Sequence, residues 1–264
     1  MPRDFSLSKN ALNQAVKPSL ELDKRKVSFA VHKTEQIEGM LNKSAIICTL
    51  ALCKIIENEI GWENSAFIEI GVYKGKFLLI PEVATREFDV RLIGIDPFNL
   101  EGQGLDEVKV HLGKCGCAVE RLILYKGLSN DTANIASLVQ HRPLLFSHID
   151  GDHRYEAVLE DIRFIEAHLD RRGCVLLDDF WNVSHLGVIS AVSEYLRNPR
   201  SKLRPVAMMN KKLLMANIEM VSFYQRALTQ CAEANSSFEV FGKFLQNSKH
   251  ELELTLFGSY ILIF

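Results

Sequence analysis

Hydrophobic positions in this chain follow two rhythms that take turns. Short blocks of mostly apolar residues, bounded by Gly, Pro, Asn or Asp, predict strands at Ala66–Ile70, Val90–Ile95, Arg121–Lys126, Pro143–Ile149 and Gly173–Leu177. Between them apolar residues recur at helical spacing, over Thr132–Gln140, Arg154–Leu169 and Leu186–Leu196. In the second of these, Val158, Ile162, Ile165 and Leu169 fall on one face. Asn42–Ile60 also predicts a helix, with Gly61 as its C-cap. Lys76–Glu87 is expected to be helical but kinked or irregular, because Pro81 removes a donor inside it. Near-continuous apolar strands alternating with amphipathic helices imply a parallel sheet covered on both sides. After Leu196 the rhythm changes. Pro205–Met209 and Leu213–Ala216, with Asn210-Lys211-Lys212 between them, predict a hairpin that closes the sheet. A helix is expected over Met220–Ala232 and extra strands within Phe238–Phe264, notably Glu251–Phe257 and Tyr260–Phe264. Phe29–Met40 fits neither rhythm clearly. The expected organisation is one α/β domain over 1–264: an arm or lid at 1–40, a core at 41–217 and an extension at 218–264.

Chemistry collects where the predicted strands end. The first strand runs through Glu69 into Gly71, and Gly75 opens the next helix. Open α/β sheets bind ligands beyond the carboxyl ends of their strands, and a glycine there lets backbone approach a ligand. An E-x-G-x-x-x-G string alone equally describes a tight strand-to-helix turn. Asp96 ends the second strand, 27 residues after Glu69, near the ~20-residue offset at which doubly wound folds place a ribose-binding acid. Helix capping alone accounts for Ser129 and Asp131 in the turn after the third strand, and that place also suits contact with an adenine ring. The fourth strand ends in Asp150-Gly151-Asp152-His153 and the fifth in Asp178-Asp179. Singly, Asp152 is a cap, Asp179 a turn residue and His153 a surface histidine. Together, carboxylates on neighbouring tips repel unless a cation joins them. Oxygen-only ligation favours Mg²⁺, Mn²⁺ or Ca²⁺ over zinc. The expected metal ligands are Asp150, Asp178 and Asp179.

Composition narrows the function classes. The chain is 47% hydrophobic and 24% charged, with a formal net charge of -2, which gives no electrostatic reason to expect nucleic acid or an anionic membrane. The basic residues from Arg197 to Arg204 sit beside Pro199 and Pro205 and suit a solvated loop. Of the six cysteines, Cys48, Cys53 and Cys174 lie in apolar runs as small core residues. Cys115 and Cys117, one residue apart, match no common zinc spacing, and a reducing cytosol is the simplest setting. The N-terminus shows no signal-peptide apolar region, and the longest apolar run, Ala45–Cys53, is too short to cross a bilayer. A cytoplasmic protein is expected; no pattern decides its oligomeric state, and a homo-oligomer is compatible with it.

The strings EIGVYKG, GIDPF, KGLSND, HIDGDHRYEAV and LLDDF, within Met40–Asn217, together resemble the metal-dependent class I S-adenosylmethionine O-methyltransferases. The likeness is greatest to the branch that methylates sugar hydroxyls in antibiotic pathways, and more distant to catechol O-methyltransferase. The resemblance implies a Rossmann-like, doubly wound, mostly parallel sheet with an antiparallel hairpin at its end. It implies S-adenosylmethionine and a divalent cation, magnesium, as cofactors, and a small-molecule hydroxyl acceptor, a sugar or natural product, as partner. By that resemblance Glu69, Gly71, Tyr73 and Gly75 line the methionine end of the cofactor. Asp96 holds the ribose, Ser129 and Asn130 lie by the adenine, and Asp150, Asp178 and Asp179 hold the metal. The base is the residue three past the first metal aspartate in some relatives, here His153, and two past it in others, here Asp152. An imidazole suits proton removal at neutral pH and favours His153. Trp181, Asn182 and His185 are candidates for the substrate wall, and packing against the sheet accounts for Trp181 equally well. Three alternatives stay open: a metal-independent methyltransferase, a non-catalytic cofactor-binding protein of the same fold, and a nicotinamide-dependent oxidoreductase. The last lacks a G-x-G-x-x-G string and leaves the acid clusters without a role.

Overall fold

The computed structural model describes residues 19–100, 104–139, 141–247 and 255–264. Its strands in chain order are β1 (Ser65–Ile70), β2 (Val90–Asp96), β3 (Leu122–Lys126), β4 (Leu144–Ile149), β5 (Leu169–Leu177), β6 (Leu203–Met209), β7 (Lys212–Asn217), β8 (Thr255–Leu256), β9 (Ser259–Tyr260) and β10 (Leu262–Ile263). Eight of them form one sheet in the order β10-β6-β7-β5-β4-β1-β2-β3, and β8 and β9 pair separately. β1 lies between β2 and β4, parallel to both, and β3 and β5 extend the parallel run on either side. β7 is antiparallel to β5 and β6 antiparallel to β7, which is the predicted hairpin. Strand order reverses between β1 and β4, the place where such sheets open a crevice.

The helices are α1 (Lys24–Thr34), α2 (Lys43–Glu59), α3 (Leu79–Ala84), α4 (Leu105–Lys114), α5 (Thr132–Val139), α6 (Tyr155–His168), α7 (Leu186–Arg197), α8 (Val221–Ala234) and α9 (Glu239–Asn247). All six residues of β1 are buried, because successive side chains of a central strand enter opposite cores. Phe67 joins residues of α2, α3, α8 and α9 on one face, while Ile68 and Ile70 join α5, α6 and α7 on the other. Asn42 starts α2 by accepting from the Ala45 amide at 2.8 Å, which satisfies one of the free donors of a first turn.

Three expectations need correction. The helix after β1 shortens to Leu79–Ala84, and Pro81 sits in its first turn, where a missing amide costs nothing. The ambiguous stretch Phe29–Met40 begins inside α1, a helix capped by Asp23, and leaves it after Thr34. Glu239–Asn247 forms α9 rather than strand, with Val240, Phe241 and Phe244 on its buried side. Residues 1–18 of the arm expected at 1–40, and 251–254 of the run predicted as strand, lie outside the described residues. The last strand, β10, pairs parallel to β6, so the chain end returns to the sheet edge.

Candidate active site

The crevice is built by stitching strand tips together. The Gly71 amide donates to the Ile95 carbonyl at 2.9 Å, Asp150 to Ile70 at 2.7 Å, and Asp178 to Ile149 at 2.9 Å. The ends of β2, β1, β4 and β5 are therefore in contact. Gly71 has φ +85, and a Cβ there would lie 2.0 Å from the Asp150 carbonyl oxygen. Only glycine lets the β1 turn pass this close to the tip of β4. Gly75 has a different reason: a Cβ would meet Val108 at 2.9 Å and Leu112 at 3.1 Å. It permits α4 to pack and lines neither of the two cavities at the strand ends, unlike the other expected cofactor residues.

One cavity, of about 930 Å³, lies beyond β1 to β3 and is lined by Gly71, Tyr73, Asp96, Ser129 and Asn130 among others. Asp96 is buried, and its Oδ2 accepts from the Val72 and Tyr73 amides, both at 2.9 Å, while Oδ1 accepts from Phe98 at 2.6 Å. The carboxylate thus fixes the β1 turn. Carboxylate oxygens carry two lone pairs each, so acceptor capacity toward the cavity remains. The Ser129 hydroxyl donates to Asp161, and burial pushes the Asp161 carboxyl up to about 7 against that hydrogen bond.

A second cavity, of about 810 Å³, lies beyond β4 and β5 and holds Glu69, Asp150, His153, Asp178, Asp179 and His185. Gly71, Tyr73 and Asp150 line both cavities. Behind this space a buried chain crosses four strands. His148 Nδ1 meets Glu69 Oε1 at 3.0 Å, His148 Nε2 meets Lys212 Nζ at 3.1 Å, and the Lys212 ammonium donates to Asp178. Burial, with the Lys212 charge beside it, keeps the His148 imidazole well below its ordinary range, so it is neutral. Its contact with Glu69 is accordingly a hydrogen bond rather than an ion pair. Burial and the nearby Asp150 push Glu69 well up, and its Oε2 has no partner in the protein. Burial alone would raise Asp178, but the Lys212 charge outweighs it and holds the carboxyl at about 2. Burial lifts Asp150 to about 6 against the opposing effect of His153. Asp150 in turn raises His153, again against burial.

The two candidate bases part ways. Asp152 turns outward, and its Oδ2 accepts from the Arg154 Nε at 2.7 Å. His153 turns inward, and its Nε2 lies 3.4 Å from Asp150 Oδ1 and 3.6 Å from Asp179 Oδ2. Of the three carboxylates expected to hold magnesium, Asp178 fits poorly. Lys212 already supplies its counter-charge, and its Oδ1 accepts the Asp179 amide at 2.7 Å. Lys212 was hidden in sequence as one residue of a lysine turn; it is the first residue of β7 and is buried. Also missed was the segment between α1 and α2. Glu38 accepts from Tyr73 Oη at 2.8 Å and from the Lys74 ammonium, and Glu38–Asn42 line the second cavity. No local motif marks them, because their position depends on a contact 35 residues away. Met40 stands at that cavity 94% exposed.

Residues 68–180 match a family model described as a methyltransferase domain. That stretch is similar to a methyltransferase domain. The match runs from β1 to just beyond β5, so the matched stretch includes the acid-bearing tips of β1, β2, β4 and β5. Among curated proteins, an uncharacterized protein of Acanthamoeba polyphaga mimivirus is 27% identical over 120 residues, 45% of this chain and 52% of that protein. The chain spans about half the length of that relative. Among solved structures, CalS11, a TDP-rhamnose 3'-O-methyltransferase of calicheamicin biosynthesis, is 14% identical with a TM-score of 0.53, covering 73% of this chain and 93% of its own. The O-methyltransferase NovP is 16% identical with a TM-score of 0.57, covering 68% and 81%. A methyltransferase of Podospora anserina bound to SAH is 12% identical with a TM-score of 0.51, covering 74% and 88%. At such identities the likeness is one of fold. The chain has the class I methyltransferase fold, a mostly parallel sheet with an antiparallel hairpin at one edge.

Proposed function

We propose that this chain transfers the methyl group of S-adenosylmethionine to a hydroxyl oxygen of a small molecule. The observation that carries the proposal is the pair of cavities that share Gly71, Tyr73 and Asp150 as a common wall. The cavity with Asp96, Ser129 and Asn130 suits a nucleoside, whose ribose hydroxyls donate to Asp96 and whose adenine lies by Ser129 and Asn130. The unpartnered Glu69 oxygen is a buried acceptor at the other side of the wall, suited to the amino group of the methionine end, and Gly71 and Tyr73 flank it. The acceptor molecule enters the second cavity. Its oxygen attacks the methyl carbon in line, the carbon–sulfur bond breaks, and the electron pair stays on sulfur as S-adenosylhomocysteine leaves. The hydroxyl proton passes to the paired His153 and Asp150. Positioning the two reactants supplies most of the rate in such a displacement. A sugar acceptor agrees with the likeness to CalS11, a TDP-rhamnose 3'-O-methyltransferase, and with a cavity of this size. A magnesium ion on Asp150, Asp178 and Asp179 is assigned no step, because Lys212 holds Asp178.

Calorimetric titration of the protein with S-adenosylhomocysteine tests this. One-to-one binding is expected, weakened at least ~10-fold in Asp96→Ala, which removes the ribose acceptor and frees the Val72, Tyr73 and Phe98 amides. Absence of binding, or saturable binding of NAD(H) instead, sinks the proposal.

A further inference from the structure

The second cavity holds a different donor set from the one expected for magnesium. His153 Nε2, His185 Nε2 and one oxygen of Asp179 converge within 4.8 Å of one another. Asp179 Oδ2 is 3.6 Å from His153 Nε2 and 3.5 Å from His185 Nε2. These separations exceed those of good N–H···O hydrogen bonds, ~2.7–3.2 Å. They lie near the roughly 3.3 Å edge of a tetrahedron whose ligands sit ~2.0–2.1 Å from a central ion. The two imidazoles lie 4.1 Å apart, centroid to centroid. His153 Nε2 is buried and has no hydrogen-bond partner. Asp179 is braced from behind, because its Oδ1 accepts from Asn182 Nδ2 at 2.9 Å. A braced carboxylate presenting its other oxygen to two imidazoles is the kind of support that outer-shell partners give metal ligands. The neighbouring group of His148, Asp150 and Asp178 already contains a cation, Lys212. His148 there has both ring nitrogens engaged.

We propose that His153, Asp179 and His185 form a binding site for a nitrogen-preferring divalent transition ion of the zinc or cobalt type, in place of a magnesium site on three carboxylates. Imidazole ligands favour such ions, and carboxylate-only sets favour magnesium. Three protein ligands leave a coordination position free, the pattern of catalytic rather than structural zinc, and the site opens into the cavity assigned to the acceptor. The role of that free position rests on the methyl-transfer proposal; the ion site does not. With His153 engaged as a ligand, Asp150 is the member of the pair that takes the acceptor proton.

Cobalt(II) is the probe, because its visible d–d absorption reports a low-coordinate nitrogen–oxygen site without any acceptor or activity. Metal-free full-length protein titrated with Co²⁺ is expected to bind one equivalent, displaced by Zn²⁺ and not by a large excess of Mg²⁺. His185→Ala and His153→Ala should each weaken binding at least ~100-fold, and Asn182→Ala about 10-fold, as the loss of an outer-shell partner does. Asp178→Asn should bind within about twofold of wild type. Absence of a Co²⁺ spectrum in the wild-type protein overturns the proposal. So does ready displacement by Mg²⁺, or retention in His185→Ala with loss in Asp178→Asn. S-adenosylhomocysteine titration of the same samples checks their folding and separates the two ideas. Cofactor binding without Co²⁺ binding removes this site alone, and Co²⁺ binding without cofactor binding removes methyl transfer alone.

Discussion

Asp161 shows how one buried side chain ties the cofactor cavity to stability. It lies on α6, lines the first cavity and accepts from Ser129, and burial raises its carboxyl from 3.8 to about 7. Below the lower value both folded and unfolded chains carry the proton. Between the two values only the unfolded chain releases it, so this group makes stability fall as pH rises, by about 1.4 kcal/mol per pH unit. Above about 7 the loss is complete and levels off. Asp161→Asn keeps an acceptor for Ser129 and removes the titration. Urea unfolding at pH 5 and at pH 7.5 should show wild-type stability dropping more steeply than that of Asp161→Asn. Parallel behaviour of the two proteins would mean that Asp161 is solvated enough to ionise freely. Sequence marked Ser129 at a strand tip but gave no sign of Asp161. An acid on a helical face looks solvated until the fold turns that face inward.

At the scale of elements, the site is a row of strand ends held by one chain of contacts. Glu69 from β1, His148 from β4, Lys212 from β7 and Asp178 after β5 touch in that order. Lys212 therefore clamps the hairpin to the parallel half of the sheet at the level of the site. Lys212→Met leaves Asp178 buried without its counter-charge, which costs about 3–5 kcal/mol for a pair of this kind. Adding Asp178→Asn removes the stranded charge, and the double variant should recover part of the loss. Equilibrium urea unfolding of the two single variants and the double variant measures the coupling. Additive losses would show that the two groups do not interact energetically. The acids of this row stood out in sequence as strand ends. The lysine did not, because its partner Asp178 lies 34 residues away and the connection runs through α7 and β6.

At the scale of the whole molecule, both ends of the described chain share the central core. Tyr224, Leu228, Phe241 and Phe244, from α8 and α9, are buried in the same cluster as Ile47, Leu50 and Ile55 of α2. Asn235 binds the other end, accepting from the Leu22 amide at 2.9 Å and donating to the Leu20 carbonyl at 2.8 Å. Residues 218–247 thus complete one face of the sheet. A chain ending at Asn217 should expose that face, bind a hydrophobic dye and lose its cooperative thermal transition. A truncated chain melting within a few degrees of the full one would mark these helices as an appended layer.

The sequence by itself determined the alternation of strands and helices, the closing hairpin and the load of acids at successive strand tips. Each of these arises from local periodicity, from glycine and proline, and from which residues end an apolar run. The path after β1, where Pro81 falls in the first turn of a short helix, depends on packing and is not legible locally. Only the tertiary structure decided that Gly71 must clear the Asp150 carbonyl while Gly75 clears α4. It alone brought the Lys212 ammonium onto Asp178 and set His185 with His153 around Asp179. These are meetings of groups distant in the chain, set by how the sheet orders its strands, and no window of sequence contains both partners.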